Sequence, residues 1–136
     1  MKQKGLNALH KEVWSLQSKY VCMRDKACVT CGSDKNPQAG HFIHGKCMDF
    51  IEKNIHRQCA RCNFYLQGNL INYSDFIISH YGIKTFSKLK VLKDELKGKF
   101  PTEKELLVLK AKFERNIRLL AKKKTRNNEV KGKGTV

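Results

Sequence analysis

Long apolar runs are missing from this 136-residue chain. No stretch approaches the roughly eighteen residues that a membrane-spanning helix needs, so no span is expected. The opening "MKQKGLNALH" is positive but has no apolar stretch behind it, unlike a secretory signal, and this predicts a cytoplasmic protein. Acidic residues are scarce: 12 stand against 28 lysines and arginines, a formal net charge of +16. Internal repeats are absent, and the length suits one domain with a modest core.

The excess charge is unevenly spread. Residues 1–26 carry a net +4, residues 27–83 only +1, and residues 84–136 carry +11. Positive arms around a nearly neutral centre attract polyanions and make binding salt-dependent, so nucleic acid is the first-choice partner. A merely soluble, lysine-rich surface is the bland alternative, and the asymmetry argues against it.

In a reducing compartment structural disulfides are disfavoured, and paired cysteines usually ligate metal. "CVTC" (28–31) and "CARC" (59–62) each place two residues between cysteines, which lets both sulfurs reach one ion from a tight turn. Cys28, Cys31, Cys59 and Cys62 therefore predict a closed four-thiolate site for structural Zn2+. The 27 residues between the pairs exceed the usual zinc-ribbon spacing, so something is inserted between the knuckles. Cys22 and Cys47 stand alone and read as small apolar packing residues.

Periodicity predicts a helix over about 5–25 from Leu6, Leu9, Val13, Leu16 and Tyr20. Residues 27–63 predict two short strands joined by a loop, then a helix from Arg57 or Cys59 to near Gly68. Ser74 and Gly82 bound a short helix, another covers 85–97, and the Thr102/Glu105 capping box opens a fourth with an apolar stripe from Leu106 to Leu120. The polar end, residues 126–136, reads as a disordered tail. The fold class is α+β, mainly helical. Its units are a cysteine-stapled core with an N-terminal helix (1–83) and a basic helical extension (84–125).

Within the staple, "AGHFIHG" (39–45) and "NIHRQCARCN" (54–63) follow the order histidine, asparagine, N-x-x-x-x-C-x-x-C, polar residue. That order resembles the HNH nuclease motif, whose ββα-metal core holds one divalent ion. The resemblance implies His41 as general base, Asn54 as hairpin brace and Asn63 as a ligand of Mg2+ or Mn2+. A neutral imidazole can take a proton from attacking water, and a hard ion takes oxygen ligands. Many such sites place an aspartate or histidine just before the catalytic histidine, whereas this chain has Gly40. A further ligand must then come from His44, His56 or Asp49, with His56 preferred because it lies near the helix bearing Asn63. His10 and His80 have no such context and read as surface or packing residues.

Trp14, Arg24-Asp25, the four cysteines, Gly40-His41, Asn54-Ile55-His56 and Gly68-Asn69 together resemble the phage NinG (Rap) recombination family. This resemblance implies binding and cleavage of branched DNA such as four-way (Holliday) junctions, in a bacterial host's cytoplasm, with a possible homodimer and other recombination proteins as partners. Lys110, Lys112, Arg115, Arg118, Lys122, Lys123 and Lys124 are the expected DNA contacts beyond the matched motifs. Two non-nuclease readings stand beside this one. The first is a zinc-stapled DNA-binding protein that positions recombination partners without cutting. The second is an RNA-binding ribbon using Phe42, Phe64 and Tyr65 as base platforms.

Overall fold

A computed structural model describes residues 2–133. Helix α1 spans Gln3–Arg24 and buries Leu9, Val13, Gln17 and Val21, one face at helical spacing. Strands β1 (Pro37–His41) and β2 (Ile55–Cys59) pair antiparallel, with Gly40 opposite His56 and His41 opposite Ile55. Helices α2 (Leu70–Tyr81), α3 (Ile83–Leu96) and α4 (Glu103–Lys133) follow.

The end of α1 is tied to β2 by a polar clamp. Arg24 grips Asp25 through two hydrogen bonds of 2.9 Å and donates to the Ile55 carbonyl at 3.0 Å. Asp25 accepts the Arg57 amide at 2.9 Å, and the Arg57 guanidinium donates to the carbonyls of Cys22, Asp25 and Asp34. Burial would raise the Asp25 pKa, but the hydrogen bonds from Arg24 and Arg57 prevail and hold it below the usual carboxylate range.

Two apolar clusters pack around the hairpin. Leu9 and Val13 of α1 meet Leu106 and Phe113 of α4, while Phe42 and Met48 of the inter-strand loop meet Tyr73 and Ile77 of α2 and Leu89 of α3. Leu89 of α3 and Leu106 and Phe113 of α4 thus pack against elements of the 1–83 unit. The expected disordered tail is corrected in part, because α4 continues through residues 126–133 as helix. Residues 121–131 are exposed, and lysine and arginine are good helix formers even without a packing partner. Residues 134–136 lie outside the described residues.

Local details differ where chemistry beyond the apolar pattern decides. After Cys59 the helix shrinks to one π-helical turn, Arg61–Tyr65, and Arg57 remains in the strand. Helix α2 is preceded at its N-cap by Asn69, in the left-handed conformation with φ 48°, while Ser74 lies inside the helix and donates to the Leu70 carbonyl at 2.8 Å. Gly82, at φ 95°, ends α2 and starts α3 directly. Thr102 caps α4, accepting the Glu105 amide at 3.2 Å.

Gly40 has a steric reason in this hairpin. A Cβ built there collides with the side chain of fully buried Gln58, which is itself fixed by donating to Gly68 O at 2.8 Å and Thr30 Oγ1 at 3.2 Å. Gly40→Ala should therefore cost about 1–3 kcal/mol, the usual range for overpacking. Urea denaturation of the two proteins measures this, and an unchanged midpoint refutes the packing argument.

Candidate functional site

Cys28 and Cys31 sit in a knuckle after α1, closed by Gly32 N donating to Cys28 O at 2.8 Å with Gly32 at φ 80°. Cys59 ends β2 and Cys62 lies in the π-helical turn. One sulfur from each of the four lies within 4.8 Å of the others, and no disulfide joins them. Outer hydrogen bonds orient the sulfurs: the Cys62 amide and the Asn69 side-chain amide donate to Cys59 Sγ and Cys62 Sγ, each at 3.5 Å. Burial opposes a Cys28 thiolate, yet the hydrogen bond from Thr30 and neighbouring amides prevail and draw its pKa down to about 6. Soft thiolates in this number and spacing fit a tetrahedral zinc ion, so the four cysteines could hold one.

Above the cluster lies a cleft of about 580 Å³ lined by Trp14 and Ser18 of α1, Gln38 and His41 of β1, His44 of the loop, and Asn63 and Phe64 of the π turn. Trp14 stacks on His41 with ring centres 4.9 Å apart and planes 8° from parallel, and His44 lies 5.6 Å from His41, ring to ring.

Asp49 organises the other side of His41. One carboxylate oxygen meets His41 Nε2 at 2.7 Å and the other meets His10 Nε2 at 2.8 Å. Burial would raise the Asp49 pKa, but these two hydrogen bonds keep it below the ordinary value. An ionised Asp49 can only accept, so the His41 nitrogen facing it carries the proton and Nδ1 keeps the basic lone pair. The loop bearing Asp49 is fixed twice: Gln17 Nε2 donates to the Asp49 carbonyl at 2.6 Å, and the buried Asn54 side chain bridges Ile43 N (2.8 Å) and Ile43 O (3.0 Å).

His56, paired with Gly40 on the hairpin, does not line this cleft. It is buried, and its two nitrogens are engaged by the hydroxyls of Tyr73 at 3.0 Å and Tyr81 at 2.7 Å. Asp49 is likewise committed to two imidazoles. His44 is then the remaining one of the three candidate partners for Asn63, and burial, followed by the electrostatic effect of nearby His41 and Lys93, lowers its pKa and favours the neutral imidazole. Asn63 donates to Gln38 Oε1 at 2.8 Å through its amide nitrogen, and its amide oxygen has no partner among the described residues. Among the described residues, the cysteines are the group of three or more thiol, imidazole or carboxylate ligands drawn together.

His10 is the residue that sequence reasoning missed. Its place on one helical face with Trp14 and Gln17, at spacings of four and three, was the available signal. Of the expected DNA contacts, Lys110 and Lys112 also pair with Glu12 at 2.8 Å and Glu52 at 3.8 Å, between α4 and the core. Arg115, Arg118 and Lys122, Lys123 and Lys124 are exposed along α4.

Fold and site together define a mainly helical α+β protein in which four metal-competent cysteines clamp a hairpin beneath a histidine–asparagine cleft. Residues 1–124 match the family described as Bacteriophage Lambda NinG protein, and the chain belongs to that family. It is 31% identical over 100 residues to "Protein ninG" of Salmonella phage P22, covering 70% of this chain and 48% of the relative. To "Protein ninG" of Escherichia phage lambda it is 35% identical over 72 residues, 49% of this chain and 35% of the relative. The chain thus spans about half or less of the length of the curated relatives it matches. No solved structure matches it, and no helix among the described residues is long and apolar enough to cross a membrane.

Removing one sulfur should be severe. Cys59→Ser is expected to aggregate or unfold, and the intact protein should carry one zinc per chain by elemental analysis, since structural zinc supplies folding energy. A zinc-loaded variant that melts normally rules out the cluster as a metal clamp.

His56 sets a second test. Burial, reinforced by Arg24 and His80, pushes its pKa down to about 3, against about 6.5 for a free imidazole. Between those values the unfolded chain binds the extra proton, so acidification through this window removes stability, while above it the contribution is constant. The fall of Tm from pH 7 to 4.5 should be shallower in His56→Gln than in the parent. Equal slopes mean that His56 is not held neutral.

Proposed function

We propose that this protein is a divalent-metal-dependent DNA endonuclease of the HNH kind, acting on branched recombination intermediates such as Holliday junctions. The observation that carries the reading is His41, fixed by Asp49 and Trp14 with its other nitrogen left basic, beside Asn63 in a cleft open to a strand. The Asn54 brace and the cysteine knuckle hold the two halves of that cleft in register.

The chemistry follows from these positions. Water attacks a scissile phosphate seated between His41 and Asn63, its oxygen bonding to phosphorus as the ester bond to the leaving sugar oxygen breaks; His41 Nδ1 takes the water's proton, and the leaving oxygen takes one from solvent. Asp49 keeps the ring oriented and stabilises the imidazolium that forms. Asn63 Oδ1 and the neutral His44 imidazole are the cleft groups that would hold Mg2+ or Mn2+. Two protein ligands leave positions for waters and phosphate oxygens, which suits such an ion. Bound, the ion supplies charge neutralisation at the phosphate and at the leaving oxygen. The +16 charge delivers the polyanion, with Arg115, Arg118, Lys122, Lys123 and Lys124 as phosphate contacts.

One observation favours a second reading, a DNA-binding protein that positions recombination partners without cutting. The cleft offers the amides of Gln38 and Asn63 and two imidazoles, and among the described residues no carboxylates cluster there to cage an ion.

Incubating the protein with end-labelled four-way junction, single-stranded and linear duplex DNA, with Mg2+, Mn2+ or EDTA, separates the two. Metal-dependent cutting of the junction should fall by about 10²–10⁴ in His41→Ala, the worth of a general base, while binding persists and weakens with salt. Salt-sensitive binding without cutting under any metal establishes the second reading.

A further inference from the structure

We infer that Phe64 and Tyr65 form a stacking wall for unpaired DNA bases at the mouth of the cleft, so that the protein selects strands whose bases beside the bound phosphate are unstacked. The inference rests on the nucleic-acid reading above and adds the feature of the substrate that is recognised.

Two large aromatic side chains are left in solvent where a small protein gains most by burying them. Phe64 is 72% exposed and Tyr65 76%, whereas Phe42, equally apolar, is 4% exposed in the core. Core packing therefore explains Phe42 and does not explain the other two. Their rings are perpendicular, with centres 5.2 Å apart, so they present differently oriented faces.

The wall is rigidly placed. Leu66 N donates to Arg61 O at 2.8 Å and Gly68 N to Cys62 O at 2.8 Å, which closes the turn onto the cysteine cluster. Phe64 follows Asn63 directly and lines the same cleft as His41. A base stacked there belongs to a nucleotide at or next to the phosphate held in the cleft.

Charge selects the occupant. Overall charge disfavours a second copy, which carries the same +16, and favours a nucleic-acid strand, which brings a phosphate chain to the positive arms and a flat apolar face with each base. Paired DNA hides those faces inside the stack and shows its edges and phosphates. Only a gap, flap, branch point or single strand can fill the wall.

The test uses 2-aminopurine as the unpaired base of a gapped DNA, in EDTA so that no strand is cut. Its emission should change on binding the parent protein, and Phe64→Ala/Tyr65→Ala should abolish that change. The same variant should weaken gapped-DNA binding by about tenfold while duplex affinity at equal salt stays within about twofold. Phe64→Trp/Tyr65→Trp, which keeps the stacking faces, should retain both signals and covers the case in which the alanine variant does not fold. Equal losses for gapped and duplex DNA, or none for either, overturn the wall while leaving DNA binding intact. Binding to no DNA at all sinks the nucleic-acid reading itself. An emission change without any later cutting in Mg2+ or Mn2+ keeps the wall and removes the nuclease.

Discussion

Four sulfur atoms held within 4.8 Å of one another govern the placement of everything around the cleft. Two five-residue strands make a hairpin too small to persist alone in water. A metal ion held by the four cysteines would fasten the knuckle after α1 to the end of β2 and to the π turn, and Asn69, donating to Cys62 Sγ, extends the tie to the start of α2. The Arg24–Asp25–Arg57 clamp acts at the same corner, on the helix side. Between them they fix the distance from α1, which carries Trp14, to the turn that carries Asn63.

A chain so poor in acid uses several of its carboxylates structurally. Asp25 holds the α1–β2 corner, Asp49 orients two imidazoles, and Glu12 and Glu52 each receive a lysine of α4. The exposed lysine pairs add little stability, since such pairs contribute at most about 1 kcal/mol. Asp49 differs because it is half-buried and meets both partners at hydrogen-bond distance. Arg115, Arg118, Lys122, Lys123 and Lys124 stay exposed along α4.

What was legible in the sequence was local. The cysteine pairs declare themselves because ligand spacing within a tight turn is short-range geometry, and α1 and α4 declare themselves by period. Asn54 was readable from its motif, and its side chain spans the loop in the structure. Relations set by strand alternation or long sequence separation were not legible. His56 lies close to Asn63 along the chain, yet a strand places it on the opposite face, under Tyr73 and Tyr81. His10 lies 39 residues from Asp49, and nothing local announces that a carboxylate will meet it. The end of α4 was misread because polar composition signals lack of packing, which is not the same as lack of helix.

The hairpin also explains why the residue before His41 contributes no ligand. Position 40 falls on the face that packs against Gln58 and α2, and position 41 falls on the face toward α1 and the cleft. An acidic side chain at 40 would enter the core, where an unpaired charge is costly and Gln58 already fills the space. Of the three candidate partners of Asn63, His44 lines the cleft, while Asp49 and His56 are engaged elsewhere. The division of labour is thus one residue wide: His56 and Gly40 pack into the fold, while His41 faces Trp14, Asp49 and the cleft.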